Sequence, residues 1–103
     1  MKRLLIVVVA IAALGFTKNP EIDSCKLKGI PLKGRVMVVH SNADLRVMVV
    51  DANEDLRVDT SWSRPSKCGE WTFVNSNEDF RIMYVNSSAD IRVMFVNSSA
   101  GLP

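Results

Sequence analysis

One eleven-residue unit, Val36-Met37-Val38-Val39-His40-Ser41-Asn42-Ala43-Asp44-Leu45-Arg46, limits what this chain can fold into more than any other feature. It recurs at once as Val47 to Arg57, and again in units that begin at Trp71, Ile82 and Val93. Starts at 36, 47 and 58, and then at 71, 82 and 93, keep the period, while the interval from 58 to 71 is two residues longer. The first four positions read Val-Met-Val-Val twice, then Trp-Thr-Phe-Val, Ile-Met-Tyr-Val and Val-Met-Phe-Val. Such β-branched and aromatic density suits a pleated, packed surface. Positions five to eight are dominated by Asn, Asp and Ser, from His40-Ser41-Asn42-Ala43 to Asn97-Ser98-Ser99-Ala100. These side chains bond their own backbone in turns, and Asn accepts a left-handed conformation. Each unit therefore predicts a short strand followed by a turn.

An eleven-residue period also fits three turns of a right-handed supercoiled helix. Here that helix would carry Asn-Ser-Ser clusters in its interior and a Val-rich face, and both oppose helix formation. The helix is rejected. Across a unit junction Leu45, Val47 and Val49 alternate with Arg46, Met48 and Val50, which predicts strands buried on one side and partly covered on the other. In the last unit Gly101 stands where Asp is expected and Pro103 where Arg is expected, as befits a terminal repeat with no following neighbour. From periodicity alone the architecture is a β-meander or a small β-solenoid.

The 103-residue chain has room for one domain. Its start, Lys2-Arg3 followed by an apolar run from Leu4 to Leu14, has the form of a secretory signal peptide and is short for a membrane span. The expected division is a signal peptide over 1–15, an irregular lead-in over 16–33 with at most one short strand, and a repeat-built all-β domain over 34–103. That implies an exported protein, periplasmic or secreted, with no membrane association once the signal is removed. Of the 13 basic residues, two are Lys2 and Arg3, so the remaining 11 equal the 11 acidic residues. A nucleic-acid binder keeps a basic surplus, so no nucleic-acid partner is expected. Cys25 and Cys68 are an even pair in an exported chain. They form either a disulfide or two buried free thiols.

Asp44, Asp55, Asp79 and Asp90 share one repeat position, and Arg46, Arg57, Arg81 and Arg92 lie two residues on. A carboxylate ladder could hold calcium. The equal number of Arg residues favours a structural reading, in which each Asp caps a turn and the Arg side chains neutralise the stack. His40, the single histidine, occupies a turn position and has no partner for a zinc site or a catalytic triad. The adjacent pairs Glu54-Asp55 and Glu78-Asp79 announce no cleft between opposed carboxylates. No catalytic residue, metal or cofactor is assigned, and no enzymatic activity is expected. Trp62 and Arg64, in the Pro-, Gly- and Ser-containing interval over 58–70, are the candidate recognition residues, because Trp and Arg are enriched in binding hot spots. Trp71 occupies a strand position filled elsewhere by Val or Ile and is expected in the core.

Tandem units of the kind Val-Asn-Ser-Ser-Ala-Asp-Ile-Arg-Val-Met-Phe-Val, following a signal-like segment, resemble the septoil-knot domain, a small all-β family whose backbone forms a seven-crossing torus knot. The resemblance covers Gly34 to the C-terminus and departs at Asp59 and in the Trp62–Gly69 loop. It implies a single knotted all-β domain and no particular activity. The functional expectation is a kinetically robust structural or interaction module with a protein or glycan partner. The alternative is a calcium- or glycan-binding module that uses the Asp ladder or the Trp62 loop.

Overall fold

The computed structural model describes residues 22–103, so the expected signal segment over 1–15 and the start of the lead-in lie outside the described residues. Eight strands follow in chain order: β1 (Lys26–Leu27), β2 (Ile30–Pro31), β3 (Gly34–Val38), β4 (Leu45–Val49), β5 (Leu56–Val58), β6 (Trp71–Phe73), β7 (Phe80–Tyr84) and β8 (Ile91–Phe95). Among the described residues there is no helix. The lead-in is not irregular. β1 and β2 form an antiparallel hairpin turned at Lys28-Gly29, and it delivers Leu27 and Leu32 to the core, at 6% and 0% exposure.

The other six strands form one all-parallel sheet in the order β5-β8-β4-β7-β3-β6. Within the ladders of this six-stranded sheet no strand lies beside its sequence neighbour. Strands from the first half of the domain alternate with strands from the second, so the two halves wind beside each other as a two-start spiral. This excludes a meander, whose neighbours would be antiparallel, and a simple solenoid, whose consecutive repeats would be adjacent.

The turns explain the alternation. Val38, at the end of β3, and Leu45, at the start of β4, flank Ile82 of β7 on opposite sides. The connection between them crosses the outer face of β7, because the inner face is filled by the core. Val39 N–H donates to the Ile82 carbonyl at 2.8 Å as the crossing begins, and Asp44 N–H to the Arg81 carbonyl at 3.0 Å as it ends. The same pair of bonds recurs at four more crossings, where Val50 and Asp55 straddle β8, Val74 and Asp79 β3, Val85 and Asp90 β4, and Val96 and Gly101 β5. Each arch turns on a left-handed residue at the seventh repeat position: Asn42, Asn53, Asn77, Ser88 and Ser99, with φ of 57°, 60°, 59°, 54° and 62°. Asn tolerates this conformation better than Ser. Ser88→Asn and Ser99→Asn are therefore each expected to stabilise the fold by about 0.5 kcal/mol, read as a rise in unfolding midpoint. A fall for both would show that side-chain contacts at the arch outweigh backbone preference.

The interval over 58–70 takes part in strand pairing. Asp59 bridges Glu70 in parallel, with Asp59 N–H donating to the Gly69 carbonyl at 2.9 Å and Trp71 N–H to the Asp59 carbonyl at 3.1 Å. That bridge joins the two edge strands, β5 and β6, and closes the sheet into a barrel. Closure brings three backbones together at Gly69, whose φ is 83° and where a Cβ would collide with the Arg57 carbonyl and the Gly101 backbone. At Gly34 a Cβ would meet the Asp79 carboxylate.

Inside the barrel the side chains lie in layers, as a small barrel requires. Gly34 faces Trp71 while Val36 faces Phe80, and the stagger recurs around the circuit, so equivalent repeat positions come level. The middle layer is Val36, Val47, Val58, Trp71, Ile82 and Val93, all at 0% exposure. The layer on one side of it contains Leu45, Leu56, Phe80 and Ile91, all buried, together with Gly34 and Gly69. Leu32 is a fully buried member of the same core, and its carbonyl accepts from the Trp71 indole Nε1 at 3.2 Å and from Gly69 N–H at 2.8 Å.

Candidate functional site

The Asp ladder is built into the crossings. Oδ2 of Asp44, Asp55, Asp79 and Asp90 accepts the backbone N–H of Arg81, Arg92, Arg35 and Arg46, each at 2.8 Å. The same Asp donates its own N–H to that Arg's carbonyl. Each Asp thus clasps one residue of the strand its arch has just crossed, 37 or 44 residues away in sequence. The expectation that each Asp caps its own turn is corrected: the cap is non-local. In the last unit the Gly101 carbonyl takes the carboxylate's place, accepting Arg57 N–H at 2.8 Å, which accounts for the missing Asp.

The Arg side chains do not neutralise the ladder uniformly. Arg92 pairs with Asp55 at 3.2 Å. Arg57 and Arg81 instead reach Glu54 and Glu78, three residues back, at 2.8 Å. Arg46 caps the Ser88 carbonyl at 3.0 Å, and Lys28 pairs with Asp90 at 3.0 Å. With each carboxylate bound to a different strand, the ladder does not converge on one point. Among the described residues no group of three or more His, Cys, Asp or Glu side chains is placed to hold a metal ion.

Asp55 is the most enclosed of the paired ladder carboxylates, with a side chain 6% exposed against 47% for Asp79. Asp55→Ala is expected to cost about 2 kcal/mol, because it removes the buried carboxylate that accepts the Arg92 N–H at 2.8 Å, while Asp79→Ala costs clearly less. Equal losses in equilibrium denaturation would contradict this ranking.

These clasps also set a pH dependence. The Arg35 N–H holds the Asp79 carboxyl below its ordinary 3.8. At Asp90 burial pushes upward, but the Arg46 N–H and Lys28 outweigh it and the net shift is down. Hydrogen bonds from Arg57, Arg81 and Ser61 lower Glu54, Glu78 and Asp59. All five favour the ionised native state. Their stabilisation is complete above the ordinary carboxylate values and is lost as pH falls through the depressed native ones. Stability is expected to be flat from about pH 5 to 8 and to fall below about pH 4, measured as the urea midpoint. A midpoint unchanged down to about pH 2 would contradict it.

Cys25 and Cys68 are joined, with Cα atoms 5.9 Å apart, tying the hairpin to the closing loop. Trp71 is fully buried, with its ring edge-on to Phe80 at 5.5 Å. His40 is an exposed turn residue. Trp62 is 48% exposed, and Arg64 is exposed nearby in the chain.

The largest feature that residue-type reasoning missed is the third layer of the barrel. Val38, Val49, Phe73, Tyr84 and Phe95 face Ile82, Val93, Val36, Val47 and Val58 in register. Ladder partners share a face, so all five side chains lie on the inner face. Nothing among the described residues covers them, and they stay 39–50% exposed. Around the ring the order is Phe73, Val38, Tyr84, Val49, Phe95 and then Thr60, which follows β5. Aromatic residues from the second half alternate with small residues from the first. Phe73 and Phe95 meet edge-on at 6.4 Å, and burial pushes the Tyr84 phenol upward. The signal was present in the alternation through the unit junction, which makes the third position inward-facing, and in the aromatics that fill it in the last three units.

A family model described as the 7(1) septoil knot domain matches residues 29–103. That span takes in Gly29 of the hairpin turn, β2, the closing loop and all six barrel strands. No curated protein matches the chain.

Proposed function

The chain belongs to the septoil knot domain family, and from that premise we propose that it is an exported, kinetically robust module that acts by interaction and catalyses no reaction. The observation that carries this reading is the row of five crossings, each pinned at both ends to the strand beneath it. Unthreading requires adjacent clasps to open together, so local opening gives a protease little extended chain. The open apolar end of the barrel supplies the interaction surface, because a contiguous exposed patch of this kind marks a binding site more often than bare surface. The basic start and apolar run before Gly15 support export. The ladder carboxylates are engaged with backbone and Arg groups, which favours interaction through the barrel end over calcium binding.

The test is native-state digestion of the protein collected from the extracytoplasmic fraction. At a fixed protease level the half-life is expected to exceed that of an unknotted β-domain of equal equilibrium stability by at least about tenfold. Equal half-lives, or absence from that fraction, would remove the reading.

A further inference from the structure

The open barrel end is shaped to fit itself. We propose that a second copy of this chain is its partner, the two rings packing face to face in a symmetric dimer. This deepens the interaction reading above and rests on it.

The ring presents three large residues, Phe73, Tyr84 and Phe95, alternating with three smaller ones, Val38, Val49 and Thr60. A two-fold axis perpendicular to the barrel axis places every aromatic residue of one ring over a small residue of the other. Aromatic residues of each copy then enter the gaps over Val38 and Val49 of the other, while the Phe73–Phe95 contact spans Thr60, and this is the self-complementarity an isologous interface needs. Electrostatics permit this approach. The ring's one ionisable side chain is Tyr84, whose phenol stays neutral at physiological pH, and the basic and acidic residues beyond Arg3 are equal in number. Copies meeting end to end therefore carry no net repulsion. The ring residues expose roughly 450 Å² per copy, so two copies bury at most about 900 Å², the size of a weak, reversible interface. A flat glycan platform would need coplanar rings, whereas Phe73 and Phe95 lie at 62° to each other.

Sedimentation velocity on the full chain as it accumulates in its native compartment, over roughly 1 to 500 µM, tests the proposal. The expected result is reversible dimerisation with Kd in the micromolar range, about 1–100 µM. Val49→Arg and Tyr84→Arg should each weaken it at least about tenfold by placing a charge in the interface. Both positions are solvent-facing at 50% and 44% exposure, and Thr60→Arg serves as a third variant should either fail to fold. A monomer up to the highest concentration overturns the proposal, and so does a dimer that none of these variants weakens. Either result leaves the protease test standing, so failure of self-association and failure of the module reading remain distinguishable. A monomer that instead binds a glycan or an unrelated protein through this ring also overturns the second copy as partner.

Discussion

Trp71→Ala is expected to destabilise the domain by about 3–5 kcal/mol, the range for truncating a large buried aromatic side chain. Trp71 is fully buried in the middle layer, where the five other members are Val or Ile. Its ring is edge-on to Phe80 at 5.5 Å and to Phe73 at 6.4 Å. Its indole N–H donates to the Leu32 carbonyl at 3.2 Å. Truncation empties one sector of the layer beside two glycines that have no side chain with which to fill it. The Leu32 carbonyl keeps its bond from Gly69 N–H, so the cost comes from the cavity and not from an orphaned acceptor. Trp71→Phe should cost less than half as much, because it keeps most of the volume and loses one hydrogen bond. The measurement is urea denaturation equilibrated from both the folded and the unfolded side, since slow unthreading would distort a single scan. A Trp71→Ala loss below about 1 kcal/mol would mean that the layer collapses around the gap and that Trp71 is not its keystone.

Removing the disulfide with Cys25→Ser and Cys68→Ser together is expected to cost about 4 kcal/mol. The bridge spans 43 residues, and the loop-closure entropy it removes from the unfolded chain grows with that length. It also holds the β1–β2 hairpin against the closing loop, where the Leu32 carbonyl takes Gly69 N–H at 2.8 Å and the Cys25 carbonyl takes Leu32 N–H at 3.0 Å. Loss of the bridge should therefore speed local opening at this end of the barrel before the crossings open. Hydrogen exchange at Leu32 and Gly69 is expected to accelerate more than exchange at Val47 or Val93. A loss of only about 1 kcal/mol would indicate that the unfolded chain stays threaded, leaving the disulfide little extra freedom to remove. Uniform acceleration across the barrel would refute the local account.

Family membership extends over more of the chain than the repeat does, because the match begins at Gly29 within the hairpin. The physical counterpart is Leu32, which joins the core from outside the repeats. Lys and Pro residues in the lead-in concealed this. Lys26, Lys28 and Pro31 are exposed, and the two leucines among them show no period long enough to announce a strand. The candidate site was half legible for a related reason. Alternation from Leu45 through Val47 to Val49 identifies an inward face, but a one-dimensional pattern does not say where the barrel ends and the third layer meets solvent.

What the sequence determined by itself is local. Val, Ile and aromatic residues at the unit starts make strands, and Asn or Ser at the seventh position makes the left-handed bend of each arch. The even spacing of apolar residues chooses the inner face. What only the tertiary structure decided is which strand lies beside which. Five nearly identical units offer nearly identical edges, so strand pairing is degenerate in sequence, and chemistry at the level of a single unit cannot distinguish a neighbouring repeat from one 44 residues away. The degeneracy is resolved where the repeat is broken. The longer interval over 58–70 closes the barrel through Asp59 and Glu70, Gly34 and Gly69 admit backbones and carboxylates where a Cβ would clash, and Gly101 ends the spiral with a carbonyl in place of a side chain. Once those points set the winding, each Asp meets the strand its own arch crosses, and a motif that reads as a local turn cap becomes a clasp between the two halves of the chain.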